Sequence, residues 1–206
     1  DRQLIAFTGN TGGSAGPHLH FEIRDNQQRP INPLLFGFDI KDTRPPVIYG
    51  LFGYPLSEDS HIGGETKRVE IRILKQKDGT YKSEPITAYG KIGFGIISTD
   101  RQDLASNKNG VNKIETSYNG SRSIDVDFKR FSFDETKHLN RYVDYEFYYK
   151  NKKRIQKLFI EKNNPLSILK AHTNNGALKI ESDTSYIYKI IVSDFKGNQS
   201  ELKIPI

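Results

Sequence analysis

The sequence predicts a mainly β protein in which most of the chain forms a β-sandwich with at most short helices. The first observation is alternation, because Val69, Ile71 and Ile73 are separated by charged residues with the period of a half-buried strand. The second is composition, since 12 Phe and 11 Tyr favour the pleated surface of a sheet. The third is the recurrence of short apolar stretches between turn signals, which is typical of a sandwich.

The N-terminal residues differ in character from the rest of the chain. Residues 1–40 contain a glycine-rich loop, a short predicted strand and an extended tail with two prolines. Residues 41–46 combine charged residues with two further prolines, and the residue before a proline disfavours helix. We therefore expect the C-terminal fragment of one β-rich domain over 1–40, an extended linker over 41–46 and a β-sandwich over 47–206.

The centre of the predicted sandwich has two clear signals. Residues 86–98 are an apolar run with glycines at 90, 93 and 95, which predicts a bent or bulged central strand. Asn119-Gly120 favours a two-residue type I′ turn. That turn would join a strand at 114–118 to an alternating strand at 124–128.

The next stretch is mixed. Ser132 and Glu135 have the spacing of a capping box, so a short helix is predicted near 133–141. Residues 145–149 and 154–161 fit either a strand or a helix.

The chain ends in two predicted strands. Tyr188, Ile190 and Val192 alternate with more polar positions, and residues 194–198 form a D-x-x-G-N turn before a final strand. This turn is too short for an EF-hand calcium loop, so a plain turn is predicted. The D-x-x-G-N ending resembles the terminus of immunoglobulin-like envelope modules, which predicts an immunoglobulin-like β-sandwich.

Composition narrows the function classes. The 206 residues include no Cys, which excludes disulfide and thiolate chemistry. No apolar run approaches the ~20 residues that a membrane span needs, and with neither Met nor a signal sequence we expect a soluble processed product or a segment of a longer chain. The net charge of +6 suits an acidic partner, such as an anionic envelope polymer or nucleic acid.

The basic residues are mostly dispersed, with one dense cluster. We interpret this cluster as a solvated turn in preference to a binding patch, and we expect no nucleic-acid partner. Its members are Lys150, Lys152, Lys153, Arg154 and Lys157.

His18 and His20 are the strongest candidates for chemistry. In a strand they would share one face with Glu22, while Leu19 and Phe21 would share the opposite, apolar face. Two neighbouring imidazoles suit one metal ligand and one general base, because neutral imidazole binds zinc and accepts protons near neutral pH. The alternative from the residues alone is a pair of structural histidines.

The other histidines are weaker candidates for a metal site. His61 and Glu65 have an H-x-x-x-E spacing, but the two intervening glycines favour a turn over a helix that could carry ligands. His138 and His172 lie in the predicted sandwich without a recognisable partner in sequence.

The context of the two histidines is informative. Residues 7–24 run from a glycine loop through H-L-H-F-E, and 30–34 read P-I-N-P-L. Together they closely resemble the closing motif of the lysostaphin/LytM-type zinc metallopeptidases, in order and at the family's spacing. The resemblance covers residues 3–38. It implies a remnant of a β-rich peptidase domain from a zinc endopeptidase that acts on peptide cross-links of peptidoglycan in the bacterial envelope, periplasmic or extracellular.

The resemblance also implies roles for residues. His20 would be a zinc ligand, and His18 would be the catalytic histidine that activates water and stabilises the oxyanion. Gly12, Gly13 and Gly16 would permit tight turns beside the substrate groove. A phosphate-binding role for these glycines is disfavoured, because neither a Lys-Ser/Thr pair nor a helix follows them.

The departure from the family is equally important. The family's upstream His and Asp zinc ligands and a further catalytic His have no counterpart, and we expect them to lie before Asp1. Catalytic zinc needs at least ~three protein ligands, so this chain alone is predicted to be inactive and to bind zinc weakly. The partners implied are peptidoglycan or another envelope polymer, and the missing N-terminal part of the peptidase domain.

Two alternatives stay open. One is a non-catalytic envelope scaffold or binding module that carries a degenerate peptidase remnant. The other is an adhesive or carbohydrate-binding sandwich in which the N-terminal motif is coincidental. For the tyrosines at 142, 145, 148 and 149, core packing is preferred over a glycan-stacking surface.

Overall fold

The structure, a computed structural model, describes residues 3, 4, 6–10 and 15–206, and it is built mainly from strands. The strands in chain order are β1 (Ile23–Arg24), β2 (Pro30–Ile31), β3 (Val47–Pro55), β4 (His61–Ile62), β5 (Val69–Ile71), β6 (Ile73–Lys75), β7 (Tyr81–Ser83), β8 (Ala88–Thr99), β9 (Lys113–Tyr118), β10 (Ser121–Asp127), β11 (Gln156–Lys157), β12 (Leu169–Ala171), β13 (Leu178–Ile180), β14 (Ile187–Ser193) and β15 (Gln199–Pro205).

The helices are short. The 3₁₀ turns are Pro33–Phe36, Phe133–His138 and Asn174–Gly176, and the α-helices are α1 (Leu139–Tyr142) and α2 (Tyr145–Asn151). Within the described ranges, no helix combines the length and apolar character needed to cross a membrane. The prediction of a mainly β chain with at most short helices is confirmed.

Two large sheets form the sandwich. One has the order β12-β10-β9-β14-β15-β7-β6, and the other has β11-β8-β3-β5 with β4 and β13 also paired to β8. The described pairs of strands are antiparallel except β15 with β7, which run parallel. The small hairpin of β1 and β2 forms a separate two-stranded sheet, and Ile31 of β2 makes an isolated bridge to Arg130.

The core lies between the two large sheets. Phe94 of β8 and Tyr188 of β14 are fully buried, with ring centroids 5.0 Å apart, so they join the opposing faces. Ile96 and Ile190 on the same strands and Leu202 on β15 are also completely buried. Burying each such side chain stabilises the fold by about 1.5–3 kcal/mol. Alternation of apolar and polar residues on these strands therefore predicts which side chains face the core.

The predicted central strand at 86–98 is confirmed as β8. Added Cβ atoms at Gly93 and Gly95 would come within 2.4 Å of Phe159 Cδ1 and 2.7 Å of Ile155 Cγ2, so these glycines allow close packing. The register irregularity lies in the partner strand β3, between Ile48 and Gly50.

The single strand expected at Val69, Ile71 and Ile73 is wrong. The structure ends β5 at Ile71 and begins β6 at Ile73, with β5 paired to β3 and β6 paired to β7 in the other sheet. The chain crosses between sheets at Arg72, so the alternation continued while the hydrogen-bonding partner changed.

The two local signals in the second half are confirmed. Asn119 and Gly120 have φ values of 46° and 84°, as a type I′ turn between β9 and β10 requires. Ser132 accepts a hydrogen bond from the Asp134 amide, and Glu135 accepts one from the Ser132 amide, which completes the capping box. The ambiguous stretches resolve into α2 and the short strand β11.

Residues 41–46 contain no helix or strand, yet they pack on the sandwich. The Asp42 carbonyl accepts a hydrogen bond from Asn198 Nδ2 at 3.1 Å, and the Pro46 carbonyl accepts one from the Ser200 hydroxyl at 2.5 Å. Asp42 and Pro46 are both buried. This segment is therefore fixed to the turn and strand at the end of the chain.

Candidate functional site

His18 and His20 lie just before β1, and both are exposed. Their ring centroids are 6.5 Å apart, so the structure brings the two imidazoles together. The strand predicted through His18 and Glu22 is wrong in extent, since it begins only at Ile23. A strand needs a paired neighbour, and in the described structure β1 pairs only with the two residues of β2.

A hydrogen bond fixes which ring nitrogen of His18 carries the proton. Its Nδ1 lies 2.9 Å from the Gly16 carbonyl oxygen. A carbonyl can only accept, so Nδ1 carries the proton in this contact. A neutral His18 then keeps a lone pair on Nε2, which is the nitrogen able to accept a proton from a reacting group.

His20 has the complementary arrangement. Its Nε2 lies 2.5 Å from Glu22 Oε1, and Arg24 Nε donates to the other carboxylate oxygen at 2.6 Å. The Arg24 bond and, second, the His20 bond hold the pKa of Glu22 below its ordinary value. An imidazole that donates to a carboxylate through one nitrogen and keeps the other free is typical of metal-binding histidines. Neutral His20 would offer Nδ1.

The described residues do not complete a zinc site around these histidines. No group of three His, Cys, Asp or Glu ligand atoms near enough to share an ion includes His18 or His20 in the part of the chain that the structure describes. His172 instead lies 3.0 Å from Asp125, and His61 stacks on Tyr89 in the sandwich. The turn predicted after His61 is confirmed by positive φ at both following glycines.

The glycines of the predicted groove give limited information. Gly12 and Gly13 lie outside the described residues. Gly16 is described, and an added Cβ there would meet no atom of the other described residues within 4 Å. The role of these glycines beside a substrate groove stays a prediction.

The predicted apolar backing of the histidine segment is exposed. Leu19 and Phe21 are 80% and 58% accessible, and Phe21 contacts Phe38 edge-on with centroids 5.8 Å apart. The apolar side chains of this segment are therefore largely open to solvent in the described structure.

The histidine segment is anchored to the sandwich through the β1–β2 hairpin. The Asn32 amide donates to the Lys129 carbonyl at 2.8 Å. Arg130 contacts Asp25 in the hairpin turn, and Arg24 lies over the Phe133 ring at 5.1 Å. These contacts place the two histidines at one end of the sandwich.

The tyrosine prediction is correct for one residue and wrong for two. Tyr142 is buried in the core, but Tyr145 and Tyr149 are 50% and 68% exposed on α2. The reason is that α2 presents these rings on its solvent side. Lys152 lies 5.1 Å from the Tyr149 ring centroid, and Arg154 lies 4.5 Å from that of Tyr148.

The same region contains most of the basic cluster. Lys150, Lys152, Lys153 and Arg154 are exposed around the end of α2. Lys157 is the exception, because it is buried and pairs with Glu161.

A separate cleft lies on the sandwich. It has a volume of about 740 Å³ and is bordered by Tyr89, Asn174, Lys179 and Glu181 among others. His18, His20 and Gly16, the described residues that were predicted to be functional, do not line it.

Sequence reasoning missed a group of buried carboxylates. Asp42, Asp100 and Asp194 come from distant parts of the chain, and their ligand oxygens lie within 4.8 Å of one another. No local spacing could reveal them. A weaker signal exists in sequence, because Asp100 and Asp194 each follow directly after a long apolar strand.

Comparison with known proteins gives one short similarity. Over 32 residues the chain is 56% identical to the DD-carboxypeptidase/endopeptidase Mpg of Neisseria meningitidis serogroup B and of Neisseria gonorrhoeae. The match spans 16% of this chain and 7% of the length of those relatives. No family model and no solved structure matches the chain. Over this short stretch, the chain is similar to a peptidase that acts as a carboxypeptidase and an endopeptidase.

Proposed function

We propose that His18 and His20 belong to the active site of a zinc metalloendopeptidase that cleaves peptide cross-links of peptidoglycan in the bacterial envelope. The observation that carries the proposal is the imidazole pair. Each ring has one hydrogen-bonded nitrogen, and its second nitrogen is available to bind a metal or to accept a proton. The short similarity to a DD-carboxypeptidase/endopeptidase supports the same class of substrate.

The two histidines take different roles under this proposal. His20, oriented by Glu22, is the zinc ligand through Nδ1. His18, oriented by the Gly16 carbonyl, is the acid–base histidine through Nε2. We propose that the other zinc ligands come from a part of the peptidase outside this sequence, and that the same part covers Leu19 and Phe21.

The test uses the protein encoded by the full reading frame. Peptidoglycan is digested with added zinc, the released muropeptides are identified by mass spectrometry, and bound metal is measured in the same preparations. His18→Ala is expected to lose at least ~100-fold in cleavage rate while it retains zinc, because only acid–base catalysis is removed. His20→Ala is expected to lose both activity and zinc.

His138→Ala is the matched control, since His138 lies in the capping turn at 133–138 and belongs to no proposed site. Full activity of His20→Ala would contradict the peptidase proposal. A full-length protein that neither binds zinc nor cleaves peptidoglycan, with or without the substitutions, would favour the alternative of a non-catalytic envelope scaffold.

We also propose that the sandwich is an accessory module that holds the polymer through α2. Exposed Tyr145 and Tyr149 suit stacking on sugar rings, and Lys152 and Arg154 suit pairing with carboxylates of stem peptides. The immunoglobulin-like character of this module stays a prediction.

Sedimentation with insoluble peptidoglycan tests the accessory role. The double substitution Tyr145→Ser and Tyr149→Ser is expected to lower the bound fraction at least tenfold without a change in thermal stability. Tyr49→Ser is the matched control, because Tyr49 is similarly exposed and lies under Lys108. Equal binding by all three proteins would remove α2 from the proposal.

A further inference from the structure

Three carboxylates meet where the segment 41–46 reaches the sandwich. Asp42 belongs to that segment, Asp100 directly follows β8 in one sheet, and Asp194 directly follows β14 in the other. The three residues are 7%, 4% and 3% exposed. One ligand oxygen from each lies within 4.8 Å of the others.

Two of these carboxylates are left incompletely bonded. Asp42 Oδ2 and Asp100 Oδ1 are buried and have no hydrogen-bond partner among the residues that the structure describes. The other Asp42 oxygen accepts from the Arg44 amide at 3.3 Å. A buried carboxylate oxygen without a donor or a cation is costly, and native proteins satisfy such groups almost without exception.

Asp194 is fixed in place by its own turn. One of its carboxylate oxygens accepts from the amides of Lys196 and Asn198 at 2.8 and 2.9 Å. The other accepts from Asn198 Nδ2 at 2.7 Å. The turn therefore holds this carboxylate in one orientation toward its acidic neighbours.

The local charge balance is strongly negative. Burial is the main reason why the pKa of Asp100 rises to about 6. The charges of Asp42 and Asp194 act in the same direction, while a backbone hydrogen bond from Arg101 and the charge of Arg44 oppose the rise. Burial, with Asp194 and Asp103, also raises the pKa of Asp42. Asp103 itself accepts a hydrogen bond from the Thr43 hydroxyl at 3.0 Å. The positive charge of Arg44 lowers the pKa of Asp42 and of Asp100 and so partly offsets this effect.

We propose that Asp42, Asp100 and Asp194 bind a divalent cation, and that this cation is Ca²⁺. Two oxygens that share a Ca²⁺ ion at 2.3–2.6 Å are at most ~5 Å apart. The three ligand oxygens all lie within 4.8 Å of one another, so they are close enough to share one ion. Among the described residues, the ligands of this site are carboxylate oxygens, which suit Ca²⁺ and Mg²⁺, whereas zinc sites usually contain nitrogen or sulfur ligands.

Calcium fits better than magnesium for a geometric reason. The ligands come from three irregular positions, and Ca²⁺ accepts six to eight oxygens in a flexible arrangement. Mg²⁺ demands a near-ideal octahedron and usually keeps several waters. The inference is independent of the proposed peptidase activity, since neither His18 nor His20 takes part.

The competing explanation is that Asp100 is simply protonated within the group. The two explanations differ in the effect that they predict for added Ca²⁺, because a protonated carboxyl gains nothing from the ion. They predict the same dependence of stability on pH when Ca²⁺ is absent. The ordinary pKa of 3.8 rises to about 6 on folding, so stability increases as pH falls from above 6 toward 4.

Thermal unfolding of the whole chain separates the two. At pH 7.5, addition of 10 mM Ca²⁺ in place of EDTA is expected to raise Tm by several degrees, and calorimetry is expected to give one site per chain. The dissociation constant is expected to be on the order of 10⁻⁴–10⁻³ M, the range of extracellular calcium modules.

Asp100→Asn gives a double signature. Removal of one buried charge is expected to raise Tm in EDTA and to weaken Ca²⁺ binding at least tenfold. Asp42→Asn, in the segment without helix or strand, is the second variant in case Asp100→Asn does not fold. Asp39→Asn is the matched control, because Asp39 is exposed nearby in sequence and is expected to leave the Ca²⁺ response unchanged.

Three outcomes would overturn the proposal. The first is an identical Tm in Ca²⁺ and EDTA with no heat of binding. The second is an undiminished Ca²⁺ response in both Asp100→Asn and Asp42→Asn. The third is an equal response to Mg²⁺ at the same concentration, which would overturn the assignment of calcium.

Discussion

The carboxylate of Asp25 lies 3.0 Å from the guanidinium of Arg130, although 105 residues separate the two in sequence. Asp25 also accepts hydrogen bonds from the amides of Gln27 and Arg29 and from the Arg29 side chain. The bond from Arg29 is the main reason why the pKa of Asp25 falls to about 2. One carboxylate thus shapes the β1–β2 turn and ties the histidine segment to the sandwich.

Arg130→Ala is expected to loosen the histidine segment while it leaves the sandwich folded. Hydrogen exchange at the Asn32 amide, which is bonded to the Lys129 carbonyl, should become several-fold faster because the nearby ion pair is lost. Lys129→Ala is the control, because it keeps the backbone carbonyl that Asn32 contacts and removes a side chain whose ion pair with Asp127 is 3.6 Å long. Unchanged exchange at Asn32 would show that the ion pair does not anchor the hairpin.

Asp144→Asn is expected to destabilise the sandwich by about 2 kcal/mol at pH 7, because it weakens a buried group that caps α2. Asp144 accepts hydrogen bonds from Tyr54, Arg68 and the Phe147 amide at 2.8, 2.6 and 3.0 Å. Burial opposes ionisation of Asp144, but these three bonds outweigh it and lower the pKa.

The pH dependence of this effect follows from the sign of the shift. A lowered pKa in the folded state means that the contribution of Asp144 is present above its ordinary value of 3.8 and is lost as pH falls through the folded value. In urea titrations, the difference between wild type and Asp144→Asn should therefore shrink below pH 4. A constant difference from pH 7 to pH 3 would contradict the assignment.

Gly93→Ala is expected to cost about 1–3 kcal/mol, as is usual when a packed core receives an extra methyl group. The new Cβ would lie 2.4 Å from Phe159 Cδ1, so β8 or the ring must move. Gly110→Ala is the control, because an added Cβ there meets no atom within 4 Å. Equal unfolding midpoints in urea for the two variants would show that the Phe159 contact is easily relieved.

Zinc added to this chain is expected to bind weakly, because two imidazoles give fewer than the ~three protein ligands of a catalytic site. A chromogenic chelator should remove all zinc from the chain, and peptidoglycan incubated with chain and zinc should release no fragments. Robust turnover would mean that the described histidines recruit ligands in a way the structure does not show.

Sequence was most informative where one local pattern decides one local structure. The alternation around Tyr188, the Asn119-Gly120 turn and the Ser132 capping box each depend on neighbours in the chain. Sequence failed at Arg72, where the side-chain pattern continued while the strand changed its partner. Alternation reports burial, and burial does not say which sheet provides the hydrogen bonds.

The two candidate sites also differ in how far local sequence determines them. His18 and His20 are two positions apart, so their proximity could be predicted, whereas the length of their strand depended on a partner outside the local pattern. The group of Asp42, Asp100 and Asp194 could not be predicted, because its members are brought together only when both sheets and the segment 41–46 have packed.

The bonds from Asn198 to Asp42 and from Ser200 to Pro46 have a mechanical consequence. A flexible tether would let a catalytic part sweep a wide volume around the polymer that the sandwich holds. A fixed joint instead sets one distance between the polymer-binding surface on α2 and the histidines. The protein would then measure a constant length along the polymer. Under the proposed function, cuts would then fall at a regular spacing from the point of attachment.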